Sequence, residues 1–255
     1  MKLRERLGGV GRAARESRTV ERGWRFVRHL AKKELLLLVM PVLLVVGIWG
    51  FAAVTDEVME GEAIAFDDWA ILALRDPQDP GSPVGPAWLG NVARDITSLG
   101  SGAVLTIFTL IVAGALALYR SWHEVLLLVV ALLGGAALSL GLKGLFERER
   151  PALVPHLDVV STYSFPSGHA LLSAVVYLTL GALLARLAEG WWTRLYFVGV
   201  AAALTLLVGA SRVYLGVHYP TDVAAGWAAG LAWAVLCWLA ARRLQRRGVV
   251  EGEGS

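Results

Sequence analysis

The chain has one cysteine in 255 residues, Cys237, and it lies inside an apolar run. An intrachain disulfide is excluded, and so is a cysteine cluster for zinc or iron–sulfur. Charge is scarce too. Charged residues make up 18% of the sequence against 56% hydrophobic, and mean hydropathy is +0.58. That balance excludes an ordinary soluble domain. There is no solenoid-type repeat and no low-complexity segment. Acidic clusters of the kind that hold paired metal ions are missing from the polar ends of the apolar runs, which argues against a two-metal reaction.

What the chain does have is long apolar runs. Length alone allows one or two domains, and these runs decide for one membrane domain. Six segments stand out: Leu35–Val54, Gly102–Tyr119, Val125–Leu142, Ala170–Leu187, Leu195–Ala210 and Val223–Ala241. Each approaches the length that crosses a hydrocarbon core of about 30 Å, the fifth with help from its flanks. The expected fold is all-α, an integral-membrane bundle of six transmembrane helices. A cleaved signal peptide is the alternative for the first segment. Its basic leader is longer than a normal n-region, which favours an uncleaved anchor.

Charge sets the orientation. The first 33 residues hold eleven Lys or Arg, while Thr55–Asp79 holds eight acids and one Arg. Arg120, Arg186, Arg194, Arg242, Arg243, Arg246 and Arg247 fall on the same side as the N-terminal arm if six segments cross. Cytoplasmic loops retain positive charge, so both termini are expected in the cytoplasm. Trp122, Trp191 and Trp192 fall at that interface. The expected organisation is a basic cytoplasmic arm over 1–33, a six-span domain over 34–243 and a disordered tail over 244–255. The arm carries a helical stripe of Val20, Trp24, Val27 and Leu30–Ala31 among arginines, which suits an anionic lipid surface. No motif supports a nucleic-acid arm. Phe66–Arg75 reads as a short helix at the outer surface, and Asp76–Pro86 reads as loop. Gly226 and Gly230 form a GxxxG pair suited to close packing within the bundle.

Three polar clusters end up on the outer face. The first is Lys143…Arg150-Pro151. Seven residues separate the two cations, so a continuing helix would place them on one face. Pro151 disfavours helix at Arg150 and starts a loop. Arg offers a planar fork and Lys a point charge, a combination suited to a multiply charged oxyanion. Glu147, Arg148 and Glu149 read as a solvated face. The second cluster, Pro166-Ser167-Gly168-His169, opens the fourth segment. Proline fits the first helical turn, and glycine lets the backbone approach a ligand. The free amides and the Ser167 hydroxyl make an anion site, beside which His169 can protonate a leaving group. The third cluster is Ser211-Arg212…His218…Asp222. Arg212 adds a cation. Asp222, four residues from His218, can fix its tautomer and leave the other ring nitrogen free to attack or to take a proton. Helix caps and tolerated interfacial residues explain each cluster singly. Together, cations, two histidines and a carboxylate on one face describe a metal-free phosphoryl-transfer site.

Read together, these residues resemble the type 2 phosphatidic acid phosphatase superfamily. Its signature is Lys-x6-Arg-Pro, Pro-Ser-Gly-His and Ser-Arg-x5-His-x3-Asp. The chain matches every fixed position, with Lys143, Arg150 and Pro151; Pro166, Ser167, Gly168 and His169; and Ser211, Arg212, His218 and Asp222. The resemblance covers roughly Asp67 to Arg243. It implies that His218 is the nucleophile that forms a phosphohistidine and that Asp222 orients it. It also implies that His169 protonates the leaving lipid oxygen and then activates water. Lys143, Arg150, Arg212, Ser167 and the Gly168 amide would hold the phosphate oxygens. The superfamily's vanadate-binding haloperoxidases are larger and soluble, so six spans argue against that branch.

The expected function is hydrolysis of a lipid phosphate or diphosphate, without metal or cofactor, at the outer face of the cell (inner) membrane. Undecaprenyl diphosphate and phosphatidylglycerophosphate lead as substrates, ahead of phosphatidate. The expected partners are the lipid substrate and the bilayer, with no nucleic acid. A lipid phosphotransferase and a non-hydrolytic lipid-binding or transport protein are the alternatives. An intact His169, His218 and Asp222 set speaks against mere binding.

Overall fold

Eight helices and no strand make up the described part of the chain, residues 39–246 of a computed structural model. They are α1 (Val39–Met59), α2 (Ile64–Leu72), α3 (Ala87–Ser98), α4 (Gly102–Leu118), α5 (Trp122–Phe146), α6 (Gly168–Leu187), α7 (Trp191–Tyr214) and α8 (Pro220–Arg246). The basic arm expected over 1–33 and the end of the chain beyond 246 lie outside the described residues. The chain divides into units 1–42 and 43–255. Of the first, only the helical start at residues 39–42 is described. The rest of α1 and the other seven helices belong to the second.

Five helices, α1, α5, α6, α7 and α8, are long and apolar enough to cross a membrane. The expected second span differs. α4 has 17 residues, a rise of about 26 Å, which falls short of the hydrocarbon core. It meets the requirement only together with α3, across a 48° bend, so the number of spans is five or six. α3 was not anticipated. Its mixed sequence AWLGNVARDITS lacks a continuous apolar run, and its turns pack on α7 instead. Leu99-Gly100-Ser101 forms the break. Tyr177 Oη donates to the Leu99 carbonyl at 2.7 Å, and Ser101 Oγ caps α4 by accepting from Val104 N at 3.3 Å.

The short helix expected at Phe66–Arg75 falls at Ile64–Leu72. The loop after it is closed by an isolated bridge between Arg75 and Pro83. α8 continues through Arg246. Its last turn, Leu244-Gln245-Arg246, consists of good helix formers, so the expected tail boundary at 244 comes one turn too early.

α6 is the central helix and packs on α4, α5, α7 and α8. Lipid is as apolar as a leucine side chain, so helices in it associate by close packing and not by hydrophobic burial. Small residues provide that packing. A Cβ on Gly226 would stand 2.6 Å from the Ser167 carbonyl, and one on Gly230 would stand 2.5 Å from the Leu171 carbonyl. The GxxxG pair therefore seats α8 directly on the start of α6. Leu171, Val175, Ala131, Leu127, Ala229 and Cys237 form the adjoining apolar core. At the upper end, Phe165 is fully buried and its ring meets those of Phe146 and Phe51, with centroids 5.2 and 6.1 Å away.

Candidate active site

The end of α5, the start of α6, the end of α7 and the start of α8 lie together, and all three sequence clusters converge there. Lys143 is buried in the last turn of α5. The helix stops at Phe146 because Glu147 adopts a left-handed conformation, φ 46°. Arg150 therefore does not continue the helical face of Lys143 and lies in a loop, as Pro151 leads one to expect. It returns through the loop, and both cations donate to the Tyr163 carbonyl, Arg150 Nη2 at 3.4 Å. Arg150 also donates to the carbonyls of Thr162 (2.8 Å) and Val217 (2.6 Å). Burial and the Arg212 charge push its guanidinium down to about 10, which leaves it protonated at neutral pH.

α6 begins at Gly168 with Ser167 as its cap, so Pro166 stands before the helix and not in its first turn as expected. Ser167 N donates to the Asp222 carbonyl at 2.9 Å. Its hydroxyl is buried and has no partner among the described residues. Gly168 faces α5, where a Cβ would stand 3.1 Å from Ser139 Oγ and 3.6 Å from Lys143 Cε. His169, half-buried, packs against the α3–α4 break. A Cβ on Gly100 would stand 3.3 Å from its ring and from its carbonyl. His169 is also within electrostatic reach of Arg212, His218, Asp158 and Lys143.

His218 lies just before α8 and is 1% exposed. Its Nδ1 is 3.4 Å from Asp222 Oδ2, and its Nε2 is 3.3 Å from Arg150 Nη1. A carboxylate only accepts and a guanidinium only donates. The proton therefore belongs on Nδ1, which leaves the Nε2 lone pair turned toward the cations. Burial pushes this imidazole down to about 4 despite the Asp222 bond, and Arg150 and Arg212 act in the same direction. The ring is neutral at pH 7, the form a nucleophile requires.

Asp222, on the first turn of α8, is fully buried and surrounded by donors. Oδ2 accepts from Ser164 Oγ, from Tyr219 N at 2.9 Å and from the imidazole. Oδ1 accepts from Arg148 Nη1 at 2.6 Å. Arg148 is thus no part of a solvated face, as the sequence suggested. Glu147 and Glu149 are exposed as expected, but Arg148 turns inward over the Tyr219 ring, 4.4 Å from its centroid. It also donates to Thr221 Oγ1 at 2.9 Å and to Asp67 Oδ2 at 2.8 Å.

Arg212 is almost wholly buried at the end of α7. Nη1 donates to Asp158 Oδ2 at 2.6 Å and to Thr97 Oγ1 at 3.0 Å, while Nε is buried without a partner among the described residues. Burial works to raise the Asp158 carboxyl, but the bond and charge of Arg212, with the Val159 amide, hold it below the ordinary carboxylate range. Thr97, Asp158, Ser164, Asp67 and Arg148 escaped the sequence reading. Only Arg148 left a signal, a second Arg two places before the Arg-Pro pair.

A family profile described as PAP2 superfamily matches residues 124–246. Phosphatidylglycerophosphatase B of Bacillus subtilis (strain 168) is 35% identical over 146 residues, 56% of this chain and 71% of that protein. Undecaprenyl-diphosphatase of Sulfolobus acidocaldarius is 44% identical over 68 residues, 27% of this chain and 29% of that protein. Among solved structures, a transmembrane PAP2 type phosphatidylglycerolphosphate phosphatase from Bacillus subtilis superposes with a TM-score of 0.65 at 29% identity. The match covers 81% of this chain and 98% of that one.

Proposed function

The chain belongs to the PAP2 superfamily, and from that premise we propose that it is a multi-pass membrane lipid phosphatase working through a phosphohistidine. The observation that carries the mechanism is the state of His218. Its Nδ1 is turned to Asp222 and its neutral Nε2 faces the Arg150 guanidinium. In the first step, Nε2 attacks phosphorus as the bond from phosphorus to the lipid oxygen breaks, and His169 gives its proton to that oxygen. In the second, a water attacks the same phosphorus, His169 takes the water's proton, the phosphorus–nitrogen bond breaks and phosphate leaves. Lys143, Arg150, Arg212, the Ser167 hydroxyl and the Gly168 amide hold the phosphate oxygens and stabilise the charge that spreads over them. Asp222 stabilises the imidazole as it becomes positive.

The substrate is a lipid phosphate or diphosphate. Undecaprenyl diphosphate and phosphatidylglycerophosphate come first and phosphatidate after them, in keeping with the names of the relatives. We place both termini in the cytoplasm, with the α3–α4 pair as the sixth span, and the site at the outer face of the cell membrane. Support comes from the opposite ends of the helices, where Arg120, Arg186, Arg194 and the exposed Trp122, Trp191 and Trp192 gather.

Phosphate release from each of these lipids, in detergent with EDTA, is expected from the wild type. His218→Ala should lose at least about 1000-fold, as expected when a nucleophile is removed. A quench that avoids acid should trap a phosphoenzyme in the wild type and none in the variant. Full activity in His218→Ala, or turnover abolished by the chelator, would sink the mechanism.

A further inference from the structure

The cluster of buried charge behind His218 extends beyond the matched signature. Asp67, on α2, is 0% exposed. It accepts from Arg148 Nη2 at 2.8 Å, from Thr221 Oγ1 at 2.5 Å and from Thr221 N at 3.2 Å. Thr221 is in the first turn of α8, next to Asp222. The second fork nitrogen of Arg148 goes to Asp222 itself. One guanidinium thus bridges two buried carboxylates from separate helices, and α2 is tied to the turn that carries the orienting acid. An isolated buried carboxylate is costly and rids itself of charge by taking up a proton.

We propose that Arg148 and Asp67 are positioning residues of the reaction, which together keep Asp222 ionised and hold its Oδ2 against His218 Nδ1. The inference rests on the phosphohistidine reading of the site. Asp67 neutralises the excess charge of Arg148 and fixes its fork, and Arg148 neutralises Asp222. Lysine is a poor replacement because a point charge cannot serve both acids in the fork geometry. Other charged groups face the pair. Lys143 from α5, Arg150 from the loop and His218 act on Asp222, and Tyr219 lies within reach of Arg148, Asp67, Asp222 and Asp68. Arg150 meets the far ring nitrogen of His218, whereas Arg148 bonds Asp222 directly, at Oδ1.

Removing only the cation leaves Asp222 without its guanidinium while Asp67 stays buried nearby, so Asp222 takes up a proton more readily. His218 then loses an anionic partner at a higher pH than in the wild type. Removing the cation together with one carboxylate reduces that effect. The experiment is the pH profile of kcat/KM on the lipid that the wild type turns over, for Arg148→Gln, Arg148→Lys, Asp67→Asn and the double variant Asp67→Asn/Arg148→Gln. The substrate's own titration is common to all of them. Arg148→Gln should lose about 10- to 100-fold in kcat, and its acid limb should move up by about one pH unit. Arg148→Lys should fall between it and the wild type. Asp67→Asn should lose kcat with no upward shift of the limb. The double variant should return the limb toward the wild type while kcat stays low. A wild-type limb in Arg148→Gln, or the same raised limb in the double variant, overturns the proposal. Wild-type kcat in Asp67→Asn does so as well, which covers an Arg148→Gln that fails to fold. Thermal unfolding in detergent against pH supplies a readout without turnover. Acid lability should begin at higher pH in Arg148→Gln than in the double variant, and equal onsets count against the proposal. A wild type that releases no phosphate would therefore sink the phosphatase reading while the positioning role is still judged.

Discussion

A histidine with 1% exposure is held uncharged by its surroundings, and that has a cost in acid. Burial, against the pull of Asp222, keeps the folded His218 down near 4, while a free imidazole titrates near 6.5. The unfolded chain therefore binds a proton that the native state refuses between those values. The stability from this residue is fully present above about 6.5 and is lost as pH falls toward about 4, by about 3 kcal/mol at most. The unfolding midpoint of the wild type in detergent should drop a few degrees more over that window than that of His218→Gln. Parallel curves would assign the acid lability elsewhere. At this scale the sequence showed the residues whose chemistry is carried by spacing. His218 and Asp222 are four apart, and Pro166 to His169 are contiguous. It hid the pairings between residues remote in the chain. Arg148 finds Asp67 81 positions away and Asp222 74 positions away. Arg212 finds Thr97 115 positions away. Nothing local names the partner that such an arginine finds.

Among the elements, apolar period and length made the long helices legible, with errors of a few residues at the ends. The α3–α4 pair was not legible, because its first half is amphipathic and its break depends on a tyrosine from another helix, Tyr177. The contact of α8 with α6 yields a sharper test. Gly226 touches the Ser167 carbonyl, so a side chain there must part the helices at the phosphate end of the site. Gly226→Val should lose about 1–3 kcal/mol of stability by overpacking, and activity should fall with it. Gly114, on α4, has nothing within 4 Å of a Cβ, so Gly114→Ala should leave both unchanged. Equal thermal shifts in the two variants would mean that close packing at Gly226 is not what joins α6 to α8.

For the whole molecule, the orientation can be read by labelling. Val159, in the loop above the site, is 95% exposed, whereas Cys237 is buried. In a Cys237→Ser background, Val159→Cys should react with a membrane-impermeant maleimide on intact spheroplasts. Glu189→Cys, in the loop at the opposite end between α6 and α7, should react only after permeabilisation. The reverse pattern would invert the proposed topology. This proposed orientation rests on charge bias, the basic ends and arginine-flanked tryptophans against the acidic Thr55–Asp79 stretch. The bend at Gly100 was not readable, and it bears on the surrounding lipid. A bilayer adjusts its thickness to the hydrophobic length it meets, and α4 offers about 26 Å where its neighbours offer more. In the proposed orientation, a flank where α4 alone met lipid would draw the outer leaflet inward. Lipid phosphates there would then lie deeper than elsewhere around the protein, toward the level of Gly100 and the His169 ring packed against it. The short helix would thus shorten the climb by which a headgroup reaches the proposed site.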